Sequence, residues 1–141
     1  MTEQDIKVVV TEYVEYYNTC EDCCWTYEKA YKRIHQIYTM EDSMCIVQTE
    51  EDGSITGFLM GYYREYDDLI GYYLDEIVIF NGHQGQHLGT ELIEHLEGLV
   101  KEAGASMIEL NSVNDEHHKH FYGKLGFYKA GNFVQMGKFL E

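Results

Sequence analysis

Asp75 and Glu76 sit inside the apolar run Leu74-Asp-Glu-Ile-Val-Ile-Phe80, and the loop Gly82-His-Gln-Gly-Gln-His-Leu-Gly89 follows closely behind it. The two halves suit different chemistry. A carboxylate enclosed by an apolar strand is expected to hold a proton more tightly than a solvated one, which suits a base working near neutral pH. Neighbouring strand residues point to opposite faces, so Glu76 is expected beside Leu74 and Val78, and Asp75 beside Ile77. The loop, where it opens a helix, offers unpaired N–H groups and a positive dipole end to an anion. It is not a Walker A loop, because Lys-Ser/Thr is missing, nor a dinucleotide fingerprint, because Gly-x-Gly-x-x-Gly is missing.

Other reactive side chains are less specifically arranged. Cys20, Cys23 and Cys24 cluster and Cys45 stands apart, but no second pair and no His-x3-5-His completes a zinc set. The Cys-x-x-Cys lacks the strand-to-helix context of a redox motif. His117, His118 and His120 point in different directions on a helix and have no carboxylate pair, so they read as a solvated helix start. Gly53-Ser-Ile-Thr-Gly57 has the wrong spacing for a nucleophile elbow. No metal is expected. The thiols read as reduced and mostly buried, in a cytoplasmic protein without a secretory leader or a membrane-spanning run.

Charge narrows the partners. Ten Lys+Arg against 25 Asp+Glu give a net charge of -15 over 141 residues. Nucleic acid and anionic membranes both require clustered cations, and neither is expected to bind. Cationic or neutral partners are favoured.

The elements that must carry these residues read as one domain, 1–141, of mixed α/β class. Ile6, Val9, Val10, Tyr13, Val14 and Tyr17 predict an amphipathic helix over 4–18, with a short strand at Ile6–Val10 as the competing reading. Thr19–Trp25 is an acidic loop, and Thr26 caps a second helix carrying Tyr27, Ala30, Ile34 and Tyr38 on one face. Strands are predicted at Met44–Thr49, Ile55–Arg64 and Gly71–Phe80, the first two joined by a turn at 51–54. A long helix runs from Leu88 to Gly104, and Met107–Asn111 is the next strand. Asn114 or Asp115 caps a short helix ending near Leu125-Gly126, and Phe127–Lys129 with Phe133–Leu140 form a last hairpin.

Gln84-Gly-Gln-His-Leu-Gly89, followed one strand later by Asn114 and then Phe121-Tyr-Gly-Lys-Leu-Gly-Phe127, resembles the GCN5-related N-acetyltransferase (GNAT) superfamily. The family's loop reads Gln/Arg-x-x-Gly-x-Gly/Ala, and its second motif ends Phe-Tyr-x-x-x-Gly-Phe. His87 stands where the family has its first glycine, and Asn81 replaces its proline after the strand. The resemblance implies an acyl-CoA N-acyltransferase fold, a mostly antiparallel, splayed central sheet flanked by helices. It also implies acetyl-CoA as co-substrate. The backbone of Ile77, Val78 and Ile79 would pair with the pantetheine arm. The amides of Gln84, Gly85, Gln86, His87, Leu88, Gly89 and Thr90 would hold the pyrophosphate, and Asn114 and Phe121 would also border the cofactor. A His87 side chain would crowd the pyrophosphate unless the backbone keeps a helical conformation and points the imidazole outward.

Tyr122 matches the family's tyrosine near the CoA sulfur, where a phenol can protonate the leaving thiolate. Glu76, directly or through water, is expected to take the amine's proton, against a structural or substrate-binding role. A strand N–H would stabilise the oxyanion of direct transfer. Glu21 and Asp22 in the first interhelical loop, Asp75 on the strand, and Tyr72 with Tyr62, Tyr63, Tyr66, Asp67, Asp68 and Tyr73 suit a protonated acceptor amine. That amine is expected on a polyamine, an aminoglycoside-like polycation or a peptide, and a second copy of the chain is a further partner to consider. The alternative is a GNAT-fold module that binds acyl-CoA without catalysis, for which His87 is the motive.

Overall fold

Apolar side chains spaced for a helix begin almost at once. The computed structural model describes residues 1–140 and starts with α1, Glu3–Cys20, so the helix prevails over the short strand at Ile6–Val10. Thr2 caps it reciprocally: its hydroxyl accepts from Asp5 N–H, and its own N–H donates to the Asp5 carboxylate. Ile6, Val9, Val10 and Tyr13 form its buried stripe. Thr26 caps α2, Tyr27–Tyr38, which buries Ala30 and Ile34.

Four strands follow, β1 (Ser43–Thr49), β2 (Ile55–Glu65), β3 (Ile70–Ile79) and β4 (Met107–Leu110), in the sheet order β1-β2-β3-β4. The first two pairings are antiparallel and the last is parallel, with α3, Leu88–Glu102, as the crossover between β3 and β4. Phe58 and Met60 of β2, Val78 of β3 and Phe80 pack against the buried stripes of α1 and α2 in one cluster. Leu59 alternates with Phe58 and Met60 and so faces the other way, where α3 packs on β2 and β3 with Leu92, Ile93, Leu96 and Val100 buried. This is the mixed α/β, mostly antiparallel arrangement expected, with helices on both faces.

Two irregularities matter for chemistry. The β3–β4 ladder covers only Gly71–Leu74, so beyond Leu74 the two strands part and Asp75–Ile79 has no β4 neighbour. On the other edge, Met60 pairs with Glu76 but Gly61 pairs with Leu74, which leaves Asp75 as an extra, bulged residue.

Chain contacts group into two units, Met1–Asn111 and a second beginning at Ser112. The second holds α4, Glu116–Lys124, capped by Asp115 rather than Asn114. The expected hairpin of Phe127–Lys129 and Phe133–Leu140 is not formed; these residues carry no strand, and Phe133, Val134, Met136, Phe139 and Leu140 are exposed. Apolar residues alone cannot supply the paired ladder a strand requires. Cys20, Cys23 and Cys24 are exposed rather than buried, because they fall at and beyond the end of α1, and Cys45 is half-buried on β1. Among the described residues no helix is long and apolar enough to cross a membrane.

Candidate active site

The bulge at Asp75 overturns the alternation expected of the two carboxylates. Instead of pointing to opposite faces, Asp75 and Glu76 both reach one guanidinium: Arg33 Nη2 lies 3.0 Å from Asp75 Oδ2 and 3.0 Å from Glu76 Oε2. An extra residue in one strand brings two successive side chains toward the same side. Arg33 Nε donates to Glu76 Oε2 as well, at 3.1 Å.

Glu76 is not in the apolar setting expected of it. Only 11% of its side chain is exposed, and it faces α1 and α2. Tyr13 Oη donates to Glu76 Oε2 at 3.1 Å, and Tyr17 Oη donates to Glu76 Oε1. Tyr13 and Tyr17 are one helical turn apart, so α1 presents both phenols to the same carboxylate. Burial first, and the Glu76 charge second, push both phenols well above the ordinary tyrosine range. Burial alone would weaken the hold of Arg33 on its proton, but Glu76, Tyr13 and Asp75 together raise it, so the guanidinium stays cationic. The group therefore holds two carboxylates, one cation and two neutral phenols. Its net charge is one negative.

The loop after β3 supplies the second part. Gly82 and Gly85 adopt φ values of +88° and +81°, where a side chain would be strained. His87 also lies in the left-handed region, at φ 61° and ψ 17°, so the helical conformation that would have spared the pyrophosphate is not adopted. A family glycine at this place is thereby explained: the turn into α3 requires a conformation that glycine adopts without strain. The His87 side chain is exposed and makes no capping bond. Among the described residues no acceptor faces the backbone N–H groups from Gln84 through Thr90. No lysine or arginine occurs between Arg64 and Lys101, so any anion held here must be held by amides and the α3 dipole. Gln84 folds back and donates to Ile79 O at 2.8 Å, tying the loop to the end of β3. This unclaimed run of amides, next to the unpaired edge of Ile77, Val78 and Ile79, fits a pyrophosphate with an amide-bearing arm. Val78 is buried in the core cluster, and Ile77 and Ile79 are half-buried, so their side chains pack while their backbone lies beyond the β4 ladder.

In the second unit, the spacing of Phe121-Tyr-Gly-Lys-Leu-Gly-Phe127 has a local cause. Phe127 N–H donates to Tyr122 O and Gly126 N–H to Gly123 O, with Gly126 at φ +89°. That pattern is a Schellman stop. The Phe127 ring then packs on Tyr122 with centroids 5.5 Å apart, and the Phe121 ring packs on Tyr122 as well, at 5.0 Å. The helix stop thus fixes the Tyr122 ring. Burial pushes its phenol up from the ordinary value. Asn114, freed from capping, is exposed.

The expected acceptor residues divide. Asp75 belongs to the Arg33 group. Glu21 and Asp22 are exposed just after α1, where Glu21 accepts from Tyr16 Oη at 3.3 Å, and burial followed by the Glu21 charge pushes that phenol up to about 12. Tyr72 differs from its expected place at an acceptor surface. It is fully buried, packs over Gly61, and donates its hydroxyl to Met44 O at 2.8 Å. Tyr13, Tyr17 and Arg33 escaped sequence reasoning. The usable signal was the pair of carboxylates inside an apolar strand, which demands a cation or donors from elsewhere in the chain.

The comparisons bear on the family and the fold. The model of the "Acetyltransferase (GNAT) family" matches residues 10–127. No curated protein matches the chain. A GNAT family acetyltransferase from Staphylococcus aureus superposes with a TM-score of 0.74 at 16% identity, covering 99% of this chain and 95% of that one. An aminoglycoside acetyltransferase from an uncultured soil metagenomic sample gives a TM-score of 0.70 at 17% identity, over 96% and 90%. Glucosamine-6-phosphate N-acetyltransferase from Arabidopsis thaliana gives 0.63 at 22% identity, over 82% and 80%. At these identities the neighbours speak for the fold, and the family match spans most of the sequence. From the strand that parts from its neighbour to the glycine-stopped helix after it, the chain belongs to the GNAT acetyltransferase family.

Proposed function

We propose that this GNAT-family protein moves the acetyl group of acetyl-CoA to a primary amine, borne by a cationic small molecule or a peptide. The observation that carries the reading is the run of unclaimed amides from Gln84 to Thr90 beside the open edge of β3. Bound acetyl-CoA supplies a thioester carbonyl and a thiol leaving group. The chain's own residues do the rest. The loop amides hold the pyrophosphate, the backbone of Ile77, Val78 and Ile79 accompanies the arm, and Asn114 and Phe121 border it. Asp75 and Glu76 attract the ammonium form of the acceptor. Glu76 then takes its proton, directly or through one water, because only the neutral amine can attack. Tyr122 keeps its proton at neutral pH and gives it to the departing sulfur. A cytoplasmic setting suits the exposed thiols.

One observation favours a second reading. His87 holds a left-handed backbone at the crown of the anion loop, where a side chain narrows the approach. A module that binds acyl-CoA without turnover would tolerate that narrowing better than an enzyme. Thermal unfolding with and without acetyl-CoA tests the shared premise. At 100 times Kd the ligand should add about 2.7 kcal/mol of stability, seen as a rise in Tm. No rise at millimolar acetyl-CoA would contradict both readings.

A further inference from the structure

Arg33 supplies all the positive charge of the carboxylate group, yet Glu76 does not depend on it for its position. Tyr13 and Tyr17 donate to Glu76 from α1, so two phenols hold that carboxylate independently of the guanidinium. Arg33 comes from a different helix, α2, on a long side chain that is 38% exposed, against 21% for Asp75 and 11% for Glu76. The cation is thus more accessible than either acid it neutralises.

Three acceptors converge on this guanidinium. Asp75 Oδ2 lies 3.0 Å from Nη2, Glu76 Oε2 lies 3.0 Å from Nη2 and 3.1 Å from Nε, and Tyr13 Oη lies 3.2 Å from Nε. The Asp75 carboxylate has no other partner among the described residues. The chain's second arginine, Arg64, is held differently, by the Glu109 carboxylate and over the rings of Tyr66 and Tyr73 at 5.7 and 5.2 Å.

A protonated amine that approaches Asp75 and Glu76 therefore meets a cation already in its place. While Arg33 is seated, the two acids present one net negative charge; once it moves aside, they present two. A guanidinium has donors and no acceptor, so a proton arriving at Glu76 Oε2 would be set against two N–H groups. Departure of Arg33 removes both obstacles, and the phenols keep Glu76 where it is. A primary ammonium carries three N–H donors, one for each acceptor that Arg33 releases. A quaternary ammonium carries the same charge and none of the donors.

We propose that Arg33 is an internal stand-in for the acceptor's ammonium, displaced when a primary amine enters between Asp75 and Glu76, and that this exchange selects amines able to replace its hydrogen bonds. The inference rests on the acetyl-transfer reading for calling the incoming cation an acceptor. It makes Arg33 a specificity-determining residue: the affinity for an amine is reduced by the fraction of molecules in which the guanidinium is seated.

Arg33 and Arg64 are the only arginines in the chain, so isotopically labelled arginine gives two side-chain Nε–H signals by NMR, one from the group and one as an internal reference. Without acetyl-CoA, at physiological salt, n-butylammonium should shift or broaden the Arg33 signal and leave that of Arg64 in place. Tetramethylammonium at equal ionic strength should affect neither. By calorimetry, Arg33→Met, which keeps an apolar stem and removes the competing cation, should bind n-butylammonium at least about 10-fold more tightly than wild type. Arg33→Lys should fall between them, because an ammonium head lacks the planar fork that matches these acceptors. If Arg33→Met does not fold, the labelled wild type and Arg33→Lys decide. An Arg33 signal unmoved by n-butylammonium, an equal response to tetramethylammonium, or weaker amine binding by a folded variant than by wild type would each overturn the proposal. Displacement of Arg33 by the amine with no thiol released from acetyl-CoA would leave the exchange standing and remove the transfer reading. Amine-dependent thiol release with the Arg33 signal unmoved would do the reverse.

Discussion

At the scale of residues, the chemistry gathers where a strand departs from regularity. Asp75 and Glu76 were legible as unusual because acids are uncommon inside apolar strands. Their partners were not legible, since Tyr13, Tyr17 and Arg33 lie 63, 59 and 43 residues from Glu76. Nor was the bulge, which sequence alternation cannot register and which turns two opposed carboxylates into neighbours. The phenols carry a measurable consequence. Unfolded tyrosines ionise near pH 10. Tyr13 and Tyr17 keep their protons well beyond that when folded. The folded state then binds more protons, so its stability is fully present below about pH 10 and declines as pH rises toward the folded values. Tyr17→Phe removes one of these groups. Urea midpoints at about pH 8.5 and about pH 10.5 should fall less steeply in the variant than in wild type. Identical slopes would show that Tyr17 is not held as described.

At the scale of elements, caps and stops were the best-read features. Thr26 and Asp115 begin helices through side-chain acceptors, and Gly104 and Gly126 end them in left-handed turns. These signals are local, which is why spacing alone revealed them. The last hairpin failed for the opposite reason: a strand is defined by its partner, and the apolar residues after Phe127 have none among the described residues. The anion loop lies between these cases. Its glycines foretold a turn into a helix, but not that His87 would take the left-handed conformation. His87→Gly should relieve about 1 kcal/mol of backbone strain, partly offset by the greater freedom of the unfolded chain. The expected net effect is a small rise in the urea midpoint together with tighter acetyl-CoA binding by calorimetry. A destabilised variant with unchanged affinity would mean that the His87 side chain contributes to the loop rather than narrowing it.

At the scale of the whole molecule, a net charge of -15 would have to coexist with the polyanionic co-substrate proposed above. The arrangement separates the two demands. The loop after β3 carries no lysine or arginine, so in the proposed reading it would hold the anion through amides and a helix dipole, while the carboxylates concentrate elsewhere. What remains of the charge at Asp75 and Glu76, once Arg33 is paired with both, is a single negative unit. The measurement that bears most directly on this account is release of free thiol from acetyl-CoA across a panel of primary amines, with wild type, Glu76→Gln and Tyr122→Phe side by side. The account predicts amine-dependent thiol release by wild type, and a fall in kcat of about 100-fold or more in each variant with acetyl-CoA stabilisation retained. Acetyl-CoA stabilisation with no thiol release from any amine, or turnover unchanged in both variants, would contradict it.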